Sequence, residues 1–203
     1  MKRFLCLLIG YLCGNFLTAE LVTRRLSGQS AFDTGSGNPG MANIALHCGA
    51  KPALLVLAGD LGKTFLACLL CRRVLFPRLE GAALWAGLGC ALGHDFPCWH
   101  RFRGGKGVAC TCAALVCARF PAGLISCLCG LLAVLFTQYL AAGGVCIPAV
   151  FFVLALWGRR AEEAGPALLL LALALFSFRR ELNHILAGTE PRLDLSARFR
   201  RGR

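Results

Sequence analysis

The 203-residue sequence carries little charge, and negative charge is especially scarce. Charged residues make up 16% of the chain, and only 10 residues are Asp or Glu, against 22 Lys or Arg. Soluble domains carry about 25% charged residues. Disordered chains are poor in apolar residues, which reach 57% here. The composition therefore excludes a disordered chain and argues against a soluble globular domain.

The formal net charge of +12 raises the question of an anionic partner. A nucleic-acid-binding protein needs a basic surface that faces water, and a chain this apolar has little such surface. The positive charge is better explained by the orientation of the chain in a membrane and by the binding of small anionic substrates. We therefore predict that nucleic acid is not a partner.

Thirteen cysteines in a short chain are a second unusual feature. Most of them lie inside apolar runs, where cysteine packs as a small hydrophobic residue. Cys68-Leu-Leu-Cys71 matches C-x-x-C, but it lacks a thioredoxin-like context and a second ligand pair for zinc. We predict that the cysteines pack in the core and that the protein has no metal and no cofactor.

Long apolar runs predict a single-domain, all-α, polytopic integral membrane protein over residues 1–203, because a helical crossing needs about 20 residues. The candidate spans are Phe4–Thr23, Pro52–Leu75, Gly81–Cys98, Gly107–Ala118, Pro121–Tyr139, Gly143–Trp157 and Gly165–Phe178. Gly107–Ala118 is too short to cross by itself. We predict about seven spans, and five or six stay open.

With seven spans, the basic residues divide unevenly between the two faces of the membrane. The richer face carries the polar loops 24–51 and 99–107, the link 137–143 and the C-terminal tail. The positive-inside rule places that face in the cytoplasm. Because every unusual loop falls on the same face, the topology suits an enzyme site at the membrane surface.

The first polar loop, Gly35-Ser36-Gly37-Asn38-Pro39-Gly40, matches G-x-G-x-x-G. A dinucleotide fingerprint needs a preceding strand within a βαβ unit, whereas an apolar span precedes this loop. The loop still offers free backbone N–H groups and the small donors Ser36, Asn38 and Asn43, which together can wrap an anion. The alternative is a tight turn at the membrane surface.

Two charged residues, Asp60 and Lys63, lie inside an apolar segment. Gly62-Lys63-Thr64 ends like a Walker A motif, but Leu57 stands where the first glycine of that motif belongs. A spacing of three on a helix lets the two charges meet. Charges within a membrane span indicate a functional site by default, and a purely structural ion pair is the alternative.

The most informative stretch is Arg103-Gly104-Gly105-Lys106-Gly107, which follows Gly93-His94-Asp95-Phe96-Pro97. Its glycines let backbone amides approach an anion closely, and Lys106 adds a point charge. A helix that begins at Gly107 would add the positive end of its dipole. The stretch predicts a phosphate site, with a positive-inside loop as the alternative. His94, at the end of a span, is a candidate base or a capped core histidine.

Together, these motifs make the chain resemble the bacterial acyl-phosphate:glycerol-3-phosphate acyltransferases, which are small integral membrane enzymes. The resemblance runs through almost the whole chain, in the same order. The matching residues are Gly35-Ser36-Gly37-Asn38, Gly40, Asn43, Asp60, Lys63, Gly93-His94, Pro97, Phe102-Arg103-Gly104-Gly105-Lys106-Gly107-Val108-Ala109, Thr137, Tyr139 and Gly188-Thr189-Glu190.

The resemblance implies seven transmembrane helices in the bacterial cytoplasmic membrane, with the active site on the cytoplasmic face. It implies transfer of a fatty acyl group from acyl phosphate to the 1-hydroxyl of sn-glycerol 3-phosphate. The products would be lysophosphatidic acid and phosphate, in the first step of phospholipid synthesis. It also associates the Gly-Gly-Lys-Gly loop with glycerol phosphate binding.

The site expected from this resemblance has His94 as the candidate catalytic residue. The candidate substrate-binding residues are Ser36, Gly37, Asn38, Asn43, Lys63, Arg103, Gly104, Gly105, Lys106, Gly107 and Glu190.

The chain departs from the family pattern at several positions. Leu46 replaces an arginine, and Phe178 and Glu181 replace a histidine and an asparagine. The usual Thr-Arg-Tyr-x-Ser becomes Thr137-Gln138-Tyr139-Leu140-Ala141. These losses remove phosphate donors and a possible proton carrier. A divergent paralogue with lost or altered activity is therefore an alternative function.

Three other functional classes are alternatives to a member of this family. A membrane transporter of phosphorylated anions would suit the spans and the basic loops, but the sequence shows no inverted repeat. An electrostatic membrane anchor would use the basic tail 198–203. The acyltransferases that use a His-x4-Asp pair are excluded, because no histidine in this chain is followed by an aspartate at that spacing.

Overall fold

In the computed structural model, which describes residues 1–193, every regular element is helical. The α-helices are α1 (Lys2–Gly14), α2 (Thr18–Ser27), α3 (Met41–His47), α4 (Ala50–Leu69), α5 (Ala82–Asp95), α6 (Val108–Ala118), α7 (Phe120–Thr137), α8 (Leu140–Trp157), α9 (Ala161–Ser177) and α10 (Arg179–Leu186). Short 3₁₀ turns form at Ala31–Asp33 and Cys98–His100, and α4 widens into a π-helical turn over Leu70–Leu75. The predicted all-α class is confirmed. The proposed anchor at 198–203 lies outside the described residues.

All seven predicted apolar segments are helical. In the described part of the chain, four stretches are long and apolar enough to cross a membrane: Lys2–Ser27, Ala50–Leu75, Phe120–Thr137 and Leu140–Trp157. The bent pair α9 and α10, which meet at 64°, makes a fifth if it is counted as one span. The integral membrane character is confirmed, whereas a count of seven remains a prediction.

The first apolar segment is broken rather than continuous, because Asn15 ends α1. Its side-chain amide donates to the Tyr11 carbonyl at 2.6 Å, and its side-chain oxygen accepts from the Cys98 backbone N–H at 2.6 Å. Asparagine side chains compete in this way with the backbone bonds of a helix. The chain resumes as α2 at Thr18, so the backbone between the two helices keeps carbonyls that no helical bond uses.

The short α5 lies at the centre of the bundle and packs most closely against α1. A Cβ atom added at Gly89 or Gly93 of α5 would lie 2.0 Å from the Leu7 carbonyl oxygen or 2.2 Å from that of Tyr11. Gly10 of α1 faces the Ala86 carbonyl in the same way, at 1.9 Å. Small residues spaced four apart let membrane helices approach at backbone distance. This close packing fixes the end of α5, which carries His94, against the end of α1.

Two contacts join the polar segments of the chain in pairs. The rings of Phe32, in the first loop, and His100, in the second, lie 5.4 Å apart. The backbone N–H of Leu193 donates to the Gln138 carbonyl at 2.9 Å, which joins the end of the described chain to the link between α7 and α8. These contacts bring the segments together in pairs, and the convergence of all of them on one face remains a prediction. Their placement in the cytoplasm remains a prediction.

All thirteen cysteines are free thiols, as predicted. Cys6, Cys68, Cys71, Cys90 and Cys110 are fully buried among apolar side chains. Their role is packing, because a thiol fills the small gaps between closely spaced helices.

Candidate active site

The first polar loop is held together by Asn43, at the start of α3. The Asn43 side-chain oxygen accepts from the Ser36 backbone N–H at 3.0 Å, and its amide donates to the carbonyls of Thr34 and Asn38 at 2.8 and 3.0 Å. Asn43 is 4% exposed. The Asn43 side chain is therefore bound within the loop, whereas the Ser36 side chain is exposed.

Glu20 of α2 anchors the beginning of the same loop. One carboxylate oxygen accepts from the Ser30 hydroxyl at 2.9 Å and from the Ala31 backbone N–H at 2.8 Å, and the other pairs with Arg24 at 2.5 Å. Glu20 is 7% exposed. Glu20 was not among the predicted site residues, although an acidic residue near the end of an apolar segment is a sign of a functional site.

Asp60 and Lys63 form the predicted ion pair, with 2.8 Å between Asp60 Oδ1 and Lys63 Nζ. The Lys63 ammonium also donates to the Phe16 carbonyl at 2.7 Å and lies 3.3 Å from that of Gly14. Both carbonyls belong to the break between α1 and α2. The side chain of Lys63 is 8% exposed. Its three protons are thus engaged inside the protein, which favours a positioning role over direct substrate binding.

His94 completes this buried cluster at the end of α5. Its Nδ1 atom lies 3.0 Å from Lys63 Nζ and 3.6 Å from Asp60 Oδ1. Since Nδ1 faces a protonated amine, the neutral imidazole carries its proton on Nε2. His94 is 4% exposed. The role of His94 as a base stays a prediction, and its burial behind the second loop favours a positioning role.

The second polar loop rests directly on the end of α5. The Gly105 backbone N–H donates to the His94 carbonyl at 3.0 Å. A Cβ atom added at Gly105 would lie 2.1 Å from His94 Nε2, and one added at Gly104 would lie 2.0 Å from the His94 carbonyl oxygen. Only glycine fits at this approach. The paired glycines therefore seat the loop against the Asp60–Lys63–His94 cluster.

Replacing Gly105 with alanine is expected to lower kcat/KM about tenfold or more, because the loop must move away from His94 and overpacking of this kind costs about 1–3 kcal/mol. Steady-state kinetics on purified protein measure the effect. Gly165→Ala is the matched control, since nothing lies within 4 Å of a Cβ added there. If both variants keep wild-type kinetics, the close approach of the loop does not matter for activity.

The second loop also stores backbone strain. Arg101 and Phe102 have φ angles of 55° and 58°, which side-chain-bearing residues adopt rarely. The Phe102 backbone N–H donates to the Pro97 carbonyl at 3.0 Å, which holds this conformation. Strained backbone of this kind persists where the surrounding structure enforces it, and it concentrates at functional sites. Gly107 then ends the loop at φ 59° and is the N-cap of α6, which begins at Val108.

Lys106 projects from this loop toward α10. Its Nζ atom lies 2.6 Å from Glu181 Oε1 and 4.8 Å from the centroid of the Phe178 ring. Both charged side chains of the pair are 27% exposed. Nearby, the Ser177 hydroxyl donates to Asp95 Oδ2 at 2.6 Å, which joins the end of α9 to the end of α5. Neither contact was predicted from the sequence, because the partners are 75 residues apart in the first pair and 82 in the second.

The remaining candidate residues divide between the site and its rim. Arg103 is exposed beside the glycine pair, and Gly37 and Asn38 lie half-buried in the first loop. Glu190 pairs weakly with His184, at 3.9 Å, beyond the end of α10 opposite to Glu181. The structure thus brings the two glycine-rich loops into contact through Phe32 and His100, and it pairs Glu190 with His184.

Comparison with known proteins connects this arrangement to one family. Residues 4–188 match the family model described as glycerol-3-phosphate acyltransferase. The chain is 37% identical over 200 residues to glycerol-3-phosphate acyltransferase 1 of Lactobacillus johnsonii, covering 96% of this chain and 94% of the relative. It is 33% identical over 183 residues to the glycerol-3-phosphate acyltransferase of Pseudomonas entomophila, covering 90% and 95%.

The fold is similar to that of PlsY (YgiH), described as an integral membrane glycerol 3-phosphate acyltransferase. Its glycerol 3-phosphate form matches with a TM-score of 0.86 at 25% identity, over 98% of this chain and 99% of that chain. Its lysophosphatidic acid form matches with a TM-score of 0.83 over 95% and 96%. The chain therefore belongs to the glycerol-3-phosphate acyltransferase family and is a membrane-integral acyltransferase.

Proposed function

We propose that the protein transfers a fatty acyl group from acyl phosphate to the 1-hydroxyl of sn-glycerol 3-phosphate, at the cytoplasmic face of the bacterial cytoplasmic membrane. The products are inorganic phosphate and lysophosphatidic acid, and the lysophosphatidic acid enters phospholipid synthesis. Family membership and the names of the relatives support the acceptor. The identity of the donor, the cytoplasmic face and the roles of the site residues are our proposals.

One observation carries this function: the Gly104-Gly105-Lys106-Gly107 loop is seated on the end of α5, beside the start of α6. The Gly105 backbone N–H is engaged with the His94 carbonyl, which fixes the loop, whereas the first turn of α6 offers N–H groups that no helical hydrogen bond uses. Lys106 supplies the only fixed positive charge within the loop itself. Such a site suits a phosphate, and both proposed substrates carry one.

The chemistry needs positioning more than a strong nucleophile. Acyl phosphate is already activated, so holding its carbonyl carbon against the acceptor hydroxyl supplies much of the rate. The acceptor oxygen then bonds to the carbonyl carbon, the phosphate leaves with the electrons of the broken bond, and the hydroxyl proton is released. Loop amides and Lys106 disperse the negative charge that develops on the departing phosphate.

An apolar groove beside the site provides a place for the acyl chain. It has a volume of about 380 Å³ and lies between the break in the first apolar segment and the second loop. Its apolar lining residues are Leu12, Phe16, Leu17, Leu21 and Trp99, and its polar lining residues are Asn15, Glu20, Arg24 and His100. A hydrocarbon chain gains free energy in such a groove in proportion to the apolar area that it buries. We propose that the groove holds part of the donor's acyl chain.

Purified protein is expected to make lysophosphatidic acid from acyl phosphate and sn-glycerol 3-phosphate, without coenzyme A or acyl carrier protein. Chromatography of radiolabelled product, with release of phosphate measured in parallel, tests this expectation. Substituting acyl-coenzyme A for acyl phosphate is the donor control. Folded protein that forms no product from either donor would leave the divergent paralogue or the transporter as the function.

A further inference from the structure

The environment of Lys106 contains an acidic side chain that a phosphate-binding lysine does not need. Glu181, in the first turn of α10, holds Lys106 Nζ at 2.6 Å through Oε1. The other carboxylate oxygen, Oε2, is buried and makes no hydrogen bond within the described residues 1–193. Among residues 1–193, Lys106 is thus the one cation that forms an ion pair with Glu181.

The ion pair with Lys106 favours the ionised form of Glu181. Burial alone would raise the pKa of its carboxyl group, but the hydrogen bond from Lys106 and the nearby charges of Lys106 and Arg180 lower this pKa below its ordinary value. The carboxylate thus cancels the charge of the one lysine in the Gly-Gly-Lys-Gly loop. A dianionic phosphate that approaches Lys106 meets a negative charge already in place.

Phe178 reinforces this arrangement from the other side. Its ring lies 4.8 Å from Lys106 Nζ, and the side chain is 3% exposed. The ring is fixed against Gly144 of α8, where an added Cβ atom would lie 2.4 Å from Phe178 Cε2. The ring face attracts the ammonium but offers no hydrogen-bond donor to an anion. Lys106 is consequently held between a carboxylate and an aromatic face.

We infer that Glu181 is a specificity-determining residue, which acts as a resident counterion and competes with the acceptor's phosphate for Lys106. This inference rests on the proposed acceptor site at the Gly-Gly-Lys-Gly loop. Glycerol 3-phosphate has to displace the carboxylate before it pairs with Lys106. The carboxylate therefore weakens the binding of doubly charged acceptors more than that of acceptors with a single charge or none.

The test replaces Glu181 with glutamine, which keeps the length of the side chain and its hydrogen bond to Lys106 but removes the charge. Glu181→Gln is expected to lower the KM for sn-glycerol 3-phosphate about tenfold, because like charges close to a binding site weaken affinity by this order or more. The value of kcat should change much less. Glu181→Asp, which retains the charge, should keep the KM near that of the wild type.

A matched control removes a carboxylate from an ion pair at the opposite end of α9. Glu162→Gln breaks the exposed pair with Arg3 and should leave the KM unchanged. Glycerol monoacylation, measured in the same preparation, supplies the specificity readout. The ratio of kcat/KM for glycerol 3-phosphate to that for glycerol should rise in Glu181→Gln.

Equilibrium binding of sn-glycerol 3-phosphate separates this inference from the proposed reaction. If the wild type forms no product but Glu181→Gln binds glycerol 3-phosphate more tightly than the wild type, the proposed reaction is wrong and the counterion role stands. If Glu181→Gln binds equally or more weakly, Glu181 does not compete with phosphate, and the inference is overturned whatever the activity.

Discussion

Replacing Lys63 with methionine is expected to destabilise the protein more than any other single change to the site. The change leaves the Asp60 carboxylate, which is 2% exposed, without its cationic partner. Breaking a buried pair by removing one partner costs about 3–5 kcal/mol. For a chain of this size, that loss corresponds to a fall in Tm of roughly 10 °C. The measurement is thermal unfolding in detergent, monitored together with kcat/KM.

A control variant and a double variant show whether the loss of stability in Lys63→Met comes from the unpaired Asp60 carboxylate. Lys51→Met removes an exposed lysine from the same helix and should leave the Tm unchanged. Asp60→Asn/Lys63→Met removes both charges, and it should recover part of the lost stability because no unpaired charge remains. A single Lys63→Met variant with wild-type Tm would show that the cluster does not support the fold.

The activity of the double variant distinguishes a positioning role from substrate contact. If Lys63 only fixes the break between α1 and α2 and the end of α5, recovery of stability should bring recovery of kcat/KM. If Lys63 binds substrate directly, the double variant stays inactive with a raised KM although it is folded. The engaged ammonium, with Asp60, Phe16 and His94 around it, favours the first result.

Replacing Lys106 with alanine is expected to raise the KM for sn-glycerol 3-phosphate by about 10²-fold. The change removes the positive charge of the loop and leaves the Glu181 carboxylate facing the incoming phosphate, and truncation of one partner of such a pair costs about 2–5 kcal/mol. Steady-state kinetics at varied acceptor concentration measure the effect. Lys2→Ala removes a lysine at the start of α1, far in sequence from the loop. It is the control, and its KM should equal that of the wild type.

The double variant Lys106→Ala/Glu181→Gln tests whether the two residues act on the same phosphate. Its KM should lie below that of Lys106→Ala, since the unpaired carboxylate is gone, and the two single effects should not add. An unchanged KM in Lys106→Ala itself would contradict the assignment of this loop to the acceptor.

Several features of the site were accessible from local sequence patterns. The spacing of Asp60 and Lys63 on one helix predicted their ion pair, because residues three apart lie on the same face. The glycines around Lys106 predicted a loop whose backbone approaches an anion closely, whereas the close approach that the structure shows is to His94. A helix beginning at Gly107 was likewise predicted, and α6 begins one residue later, at Val108.

Other features depended on contacts that no local pattern encodes. Glu181 and Phe178 were recognised as departures from the family, but their meeting at Lys106 depends on how α10 turns by 64° from α9. Lys63 binds carbonyls freed by the break after Asn15, and the sequence predicted that segment as one continuous span. The roles of Glu20 and Ser177 also arose only from packing between distant segments.

By itself, the sequence determined the membrane class, the positions of the apolar helices and the two glycine-rich loops, because burial in lipid demands long apolar runs and close backbone approach demands glycine. The tertiary structure decided which side chains of those helices and loops are in contact. It buried His94 beneath the Gly104-Gly105 segment of the second loop, and it paired Lys106 with the Glu181 carboxylate. Such outcomes depend on the relative positions of helices, which are set by the sum of many weak packing contacts between distant segments.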